Sequence, residues 1–356
     1  MSLTYRTELD ALDTYRPGTP APVRDGPAFK LSSNENPYPP LPSVRAVLEG
    51  ALADINRYPS FSADAVVAAV AAHCGVTPAE IVLGAGSVEV VSVVIRTVAG
   101  AGDEVVYAWR SFEAYPQLVV TAGATPVTVP LTPDLGLDLF GLATAITPAT
   151  RCVLICTPNN PTGTVVTAAE LDDFMARVPP TVTVVIDEAY MEFDRDPASP
   201  RGLDFFARYP NVVVSHTFSK AYGLAGLRIG YAVAPVELAE QMRKVSLSFG
   251  VTDLAQRAAL ASLAAEDELA QRVAVIVERR EAVEAALAAQ GWRLPKSQAN
   301  FVWLPTGQTV QAGAILERHG LAGRIFAGEG VRLTIGEAES LEPLITAAAE
   351  ILAARR

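Results

Sequence analysis

The chain has 356 residues, half of them hydrophobic, with 28 basic against 39 acidic side chains and a net charge of −11. That length supports a sizeable core and two structural domains. A charged fraction of 19% belongs to a folded chain rather than a disordered one, and an acidic balance without a basic run excludes a nucleic-acid partner.

Cys74, Cys152 and Cys156 are an odd number without framework spacing, which argues against a secreted disulfide scaffold. Cys152 and Cys156 read as two small core residues on one face of a strand. His73, His216 and His319 show no ligand spacing, so no metal site is expected. The opening MSLTYRTELD has neither the basic nor the apolar region of a signal peptide, and no window is apolar over the length of a membrane span. The expectation is a cytoplasmic protein.

In chain order, residues 14–42 are rich in proline, include Gly18 and Gly26, and read as an extended arm with neither helix nor sheet. From Pro42 apolar positions recur at helical spacing through Val44, Val47, Leu48 and Leu52, and a second helical stretch runs from Ser62 to His73. Strand-like runs then alternate with helical patterns: Glu80–Leu83, Glu104–Tyr107, Thr125–Val129, Arg151–Cys156, Val182–Ile186, Asn211–Ser215 and Ile229–Val233. Several are apolar throughout, as strands covered on both faces are. The alternation implies an α/β fold, with a mainly parallel sheet between helices.

Residues 253–290 read as one long Ala-rich helix. Short strands near Asn300–Leu304 and Gly330–Ile335, with helices near Val310–His319 and Ser340–Ala354, describe a smaller α+β domain. The expected division is an arm at 1–45 that joins the smaller domain, a large domain at 46–245 and a small domain at 246–356.

Three segments that follow strands carry the chemistry. In open α/β sheets ligands bind beyond the carboxyl ends of the strands, so the three are expected to converge. CTPNNPTGT, Cys156–Thr164, fits a tight turn as well as a loop that aims the Asn160 amide at a planar ligand. In VVIDEAYMEF, Val184–Phe193, Asp187 ends a very apolar strand, where a carboxylate is expensive unless a cation or donor is near. The plain alternative is a carboxylate capping the next helix. In SHTFSKAYGLAGLRIGY, Ser215–Tyr231, Lys220 follows an apolar strand among hydroxyls and glycines. Desolvation there lowers an amine's pKa and frees it for imine formation. Arg228 with Thr217 and Ser219 suits a phosphate. GAGS is no dinucleotide fingerprint, because Glu89 stands at the third glycine position.

PNNPTG, DEAY and TFSKAYGLAGLRIGY, in this order, resemble the fold-type I aminotransferases that depend on pyridoxal 5'-phosphate (PLP). LSSNENPYPPLPSV, NRYP, YAWRSFEAYP, SQANFVWLP and GEGVRLTIG extend the likeness over nearly the whole chain, within the group of histidinol-phosphate and aromatic amino-acid aminotransferases. TYRPGTPAP, Gly86–Val88 and LPKSQANFVWLP look most like the actinobacterial aromatic (phenylalanine) enzymes.

The resemblance implies a large domain with a mainly parallel, helix-covered sheet and a smaller α+β domain. It makes Lys220 the catalytic lysine that holds PLP as a Schiff base. It places Asp187 against the pyridine nitrogen, Asn160 and Tyr190 on the ring hydroxyl and Phe112 on the ring face. Thr217, Ser219 and Arg228 hold the phosphate, with donors from Ser87 and Val88 at a helix start. Tyr58 reaches the phosphate of the neighbouring subunit in a homodimer. Arg332 grips the substrate carboxylate or its replacement, with Arg324 and Tyr15 also on the substrate side. The implied reaction moves the amino group of an aromatic L-amino acid to 2-oxoglutarate by a ping-pong mechanism. The alternative donor is histidinol phosphate. A PLP lyase or decarboxylase would keep Lys220 and Asp187 without responding to 2-oxoglutarate.

Overall fold

Seven of the apolar runs assemble into one sheet in the computed structural model, which describes Thr4 and residues 6–355. The first residues of the arm, 1–3 and 5, lie outside the described residues. In chain order the strands are β1 (Phe29–Lys30), β2 (Ile81–Gly84), β3 (Glu104–Trp109), β4 (Thr125–Pro130), β5 (Thr150–Cys156) and β6 (Thr183–Asp187). They continue with β7 (Val212–Thr217), β8 (Gly230–Val233), β9 (Phe301–Pro305), β10 (Leu321–Ala322), β11 (Arg324–Phe326) and β12 (Gly330–Thr334).

The large sheet has the order β2-β8-β7-β6-β5-β3-β4. Its pairings from β7 through β4 are parallel, and β8 runs antiparallel to both β2 and β7. Both faces are covered. Val106, Val153, Ile155, Val184 and Val214 enter one apolar cluster, and the intervening Val105, Cys152, Leu154, Cys156, Val185 and Val213 enter another. That period of two explains why these strands look uniformly apolar in sequence. Cys152 and Cys156 share one face, as small core residues.

The chain turns outward from β3 to β4 and then returns to place β5 on the other side of β3. Such a reversal leaves a crevice beyond the carboxyl ends of the strands. A second, antiparallel sheet, β11-β12-β9, pairs Arg324 with Arg332 and Arg332 with Trp303.

Two expectations are corrected. The arm is not free of sheet: Phe29 and Lys30 pair in parallel with Leu321 and Ala322. Residues 253–290 form two helices, Asp253–Leu263 and Glu266–Gln290, broken at Ala265, whose φ of −117° and ψ of 29° leave the helical region. No glycine or proline marks the break. The acidic run Glu266, Asp267 and Glu268 does suit a new helix start, because the N-terminal dipole end favours negative charge.

Candidate active site

Parallel register brings the chemical residues together. Cys156 pairs with Asp187 and Asp187 with Ser215, so β5, β6 and β7 end level. Asp187 is 4% exposed. Its Oδ2 accepts the Tyr115 hydroxyl at 2.7 Å, and its Oδ1 has no hydrogen-bond partner. Burial pushes its pKa up to about 6, against the hydrogen bond from Tyr115. A buried carboxylate with one bare oxygen is poised for a cation or a donor. The helix-capping role falls to its neighbour: Glu188 accepts from the Gly202 amide at 2.7 Å, at the start of the helix Gly202–Phe206.

Lys220 sits just past β7, where its Nζ donates to the Ser33 carbonyl at 3.3 Å. Burial pulls its pKa down to about 7; Arg332 and Arg228 push the same way, and Glu35 opposes them. The amine is therefore available as a free base near neutral pH. The Tyr190 ring lies 5.8 Å from Nζ, and its hydroxyl accepts from Asn34 Nδ2 at 3.0 Å.

Beside Lys220 lies a cradle of donors. The helix Ser87–Val98 begins after Gly86, whose φ is +82°. A Cβ on Gly86 would sit 2.3 Å from Arg228 Nη2, and one on Gly230 would sit 2.6 Å from the Ser87 nitrogen. Only glycine permits these approaches. Arg228 Nη1 donates to Ser219 Oγ at 3.2 Å and to the Ala225 carbonyl at 2.9 Å, and the Ser219 amide donates to Thr217 Oγ1 at 3.0 Å. A helix start, a guanidinium and two hydroxyls form an anion site of phosphate type.

Above this floor stand residues of the second sheet and the arm. Arg332, 5% exposed, donates through Nη1 to Asn160 Oδ1 and through Nη2 to the Ser32 carbonyl at 2.8 Å, while its Nε is unpartnered. Arg324 forks onto Glu113 with two contacts of 2.9 Å and reaches the Pro17 carbonyl at 3.0 Å. Phe112 meets Tyr115 edge to face at 5.5 Å.

One pocket collects nearly all the predicted residues: Tyr15, Ser87, Val88, Phe112, Asn160, Asp187, Tyr190, Thr217, Ser219, Lys220, Arg228, Arg324 and Arg332 line it. Tyr58 stands apart, 84% exposed, with its ring 4.9 Å from Phe249. Sequence reasoning missed Asn34, Ser32, Ser33, Glu113 and Tyr115. Glu113 and Tyr115 sit in WRSFEAYP and the other three in LSSNENP, but only the fold shows what they touch.

Against the PLP implied by the sequence, the donor set fits. The bare Asp187 Oδ1 suits a protonated ring nitrogen, the Gly86–Arg228 cradle a phosphate, and the depressed Lys220 an amine that condenses with an aldehyde.

The family described as aminotransferase class I and II matches residues 27–347. A protein named aromatic amino acid aminotransferase from Streptomyces coelicolor is 53% identical over 337 residues, covering 94% of each chain. Another of that name from Thermobifida fusca is 50% identical over 344 residues, covering 96% of each. A histidinol-phosphate aminotransferase from Sinorhizobium meliloti, solved in complex with pyridoxal-5'-phosphate, is similar with a TM-score of 0.83 at 29% identity, covering 92% of this chain and 91% of that one.

Proposed function

The chain belongs to the class I and II aminotransferases, and we propose that it moves the amino group of an aromatic L-amino acid to 2-oxoglutarate, with PLP as cofactor. The observation that carries this reading is the convergence of Lys220, the half-satisfied Asp187 and the Arg228 cradle in one pocket. The relatives named for aromatic amino acids, about half identical over nearly the full length, support the substrate class.

In this reading Lys220 Nζ holds the cofactor, Asp187 its ring nitrogen, and Asn160 and Tyr190 its ring hydroxyl. Phe112 covers the ring face. Thr217, Ser219, Arg228 and the amides of Ser87 and Val88 hold the phosphate. Bound there, the cofactor supplies an electron sink for the substrate Cα–H bond. Arg332 takes the substrate carboxylate, with its unpartnered Nε as a ready donor. Lys220 Nζ would also be the group that moves the Cα proton, a task suited to an amine whose pKa lies near 7. Donor and 2-oxo acid use the site in turn, so initial-rate plots at several acceptor concentrations should be parallel.

The homodimer is part of this proposal. Leu52, Ile55, Tyr58, Phe61, Leu247 and Phe249 are exposed apolar side chains, and the three aromatic rings among them touch. An apolar patch of this kind suits a second copy, whose site Tyr58 would complete. Sedimentation showing a fully active monomer would overturn that part. The division into an arm at 1–45 and domains at 46–245 and 246–356 is likewise proposed; the β1–β10 pairing supports the arm's attachment. Cys74, Cys152 and Cys156 are all free, which supports a reducing cytoplasm, and no helix among the described residues is long and apolar enough to cross a membrane.

The test is the visible absorbance of the PLP-loaded protein during addition of phenylalanine or histidinol phosphate. Bleaching by phenylalanine, reversed by 2-oxoglutarate, is the expected result. Bleaching by histidinol phosphate alone would move the protein to the other substrate class.

A further inference from the structure

We propose that Glu113 is a charge-matching specificity residue, which makes the substrate's anion site prefer a singly charged carboxylate over a doubly charged phosphate. The inference rests on the reading of Arg332 as the carboxylate ligand.

Arg324 and Arg332 are direct partners across β11 and β12, so two guanidinium groups rise from adjacent positions into one pocket. Alone, the pair would present two positive charges to an entering anion. Glu113 changes that sum. It holds Arg324 in a two-pronged pair, at 2.9 Å on each prong, with side chains only 13% and 25% exposed. Arg324 Nη1 is further committed to the Pro17 carbonyl. Two cations and one anion leave one positive charge, centred on Arg332, and a carboxylate needs no more. Glu35, also on the pocket wall, is paired with Lys30 at 2.8 Å and does not alter this balance.

A phosphate monoester at the same place brings about two negative charges at neutral pH. One of them would face the Glu113 carboxylate with no free guanidinium to meet it. Discrimination then comes from a repulsive element as much as from an attractive one. Glu113 also adjoins Phe112, so the residue that sets the charge is carried by the loop that covers the cofactor-ring site.

A second ion pair provides the control. Arg110 grips Glu329 at 2.6–3.0 Å and likewise ties this loop to the second sheet, but neither residue lines the pocket. A purely structural role for Glu113 would be shared by Glu329, whereas a charge-matching role would not.

The experiment measures binding of 3-phenylpropanoate and 2-phenylethylphosphonate to the PLP-loaded protein by calorimetry at about pH 9, where the phosphonate carries both of its negative charges. The two probes share ring and linker and differ in their anion. Wild type should prefer the carboxylate. Glu113→Gln should shift the affinity ratio toward the phosphonate by at least about tenfold, while Glu329→Gln leaves it within about twofold. Glu113→Ser removes the same charge with less bulk and serves if the glutamine variant folds poorly. A ratio unchanged in the Glu113 variants, or shifted equally by Glu329→Gln, overturns the proposal. Failure of wild type to bind the carboxylate overturns the assignment of Arg332 itself, and this proposal with it.

Discussion

The floor and the roof of the pocket are built by different means. The floor comes from consecutive strand ends: Asn160 after β5, Asp187 ending β6 and Lys220 after β7. Each lies within a short sequence segment whose strand positions it, so local pattern predicts it. The roof comes from pairings between distant positions. Arg332 holds the Ser32 carbonyl across 300 residues, Asn34 holds Tyr190 across 156, and Arg324 holds Glu113 across 211. Parallel β-pairing fixes the first by rigid geometry, whereas long-range contacts among the second sheet, the arm and the loops after β3 and β6 fix the second. The floor is therefore expected to carry the chemistry, and the roof to carry selectivity.

Removing the floor's amine should have the largest effect. Lys220→Ala should slow the phenylalanine-driven bleaching by at least about 10³-fold, because the group that holds the cofactor and moves the proton is gone. Rapid mixing with substrate measures this. Retained wild-type kinetics would break the contrast between floor and roof.

Asp187→Asn should follow, with the same half reaction slowed by about 10²–10³-fold. The variant also separates function from stability. In the folded chain Asp187 titrates at about 6, against an ordinary value of 3.8. A carboxyl raised by folding costs stability as pH climbs from 3.8 through 6, and the cost is complete above 6. Without cofactor, the asparagine variant should be more stable than wild type by about 2–3 kcal/mol at pH 8 and equal to it near pH 3.5. Denaturant melts at the two pH values would show it.

Gly86→Ala should act on the phosphate end. The added methyl would meet Arg228 Nη2 at 2.3 Å on a backbone with φ of +82°. PLP affinity should fall by about 1–3 kcal/mol, which fluorescence titration of the unloaded protein resolves.

The smallest effect is expected from Tyr115→Phe. It removes the hydroxyl that Asp187 accepts at 2.7 Å, so the unloaded protein should lose about 1–3 kcal/mol of stability. The half reaction should fall by no more than about tenfold. A drop as large as that of Asp187→Asn would make Tyr115 a participant and redraw the floor.

This division also explains how much was legible. The seven apolar runs became the large sheet because strands buried on both faces look uniformly apolar, whatever their neighbours. Lys220, Asp187 and Arg228 were visible because each is a charge placed beside such a run. The break at Ala265 was not, since alanine is the best helix former and argues for continuing through it, and only the following acids hinted at a new start. β10 and β11, of two and three residues, are too short to show a period. Glu113 stands in WRSFEAYP, yet nothing in that segment reveals that its partner stands on β11. Tyr58 showed the opposite pattern: the sequence marked it, and a single chain leaves it on the surface.

The central claim is that the floor is organised around one amine, and the most direct test is to trap that amine. The PLP-loaded protein is reduced with borohydride, digested and mapped by mass spectrometry. Of the four lysines, Lys30, Lys244 and Lys296 are exposed, and Lys220 alone lies in the pocket. The phosphopyridoxyl label is predicted on Lys220 and nowhere else. A label on one of the other three, or none at all, would contradict the account.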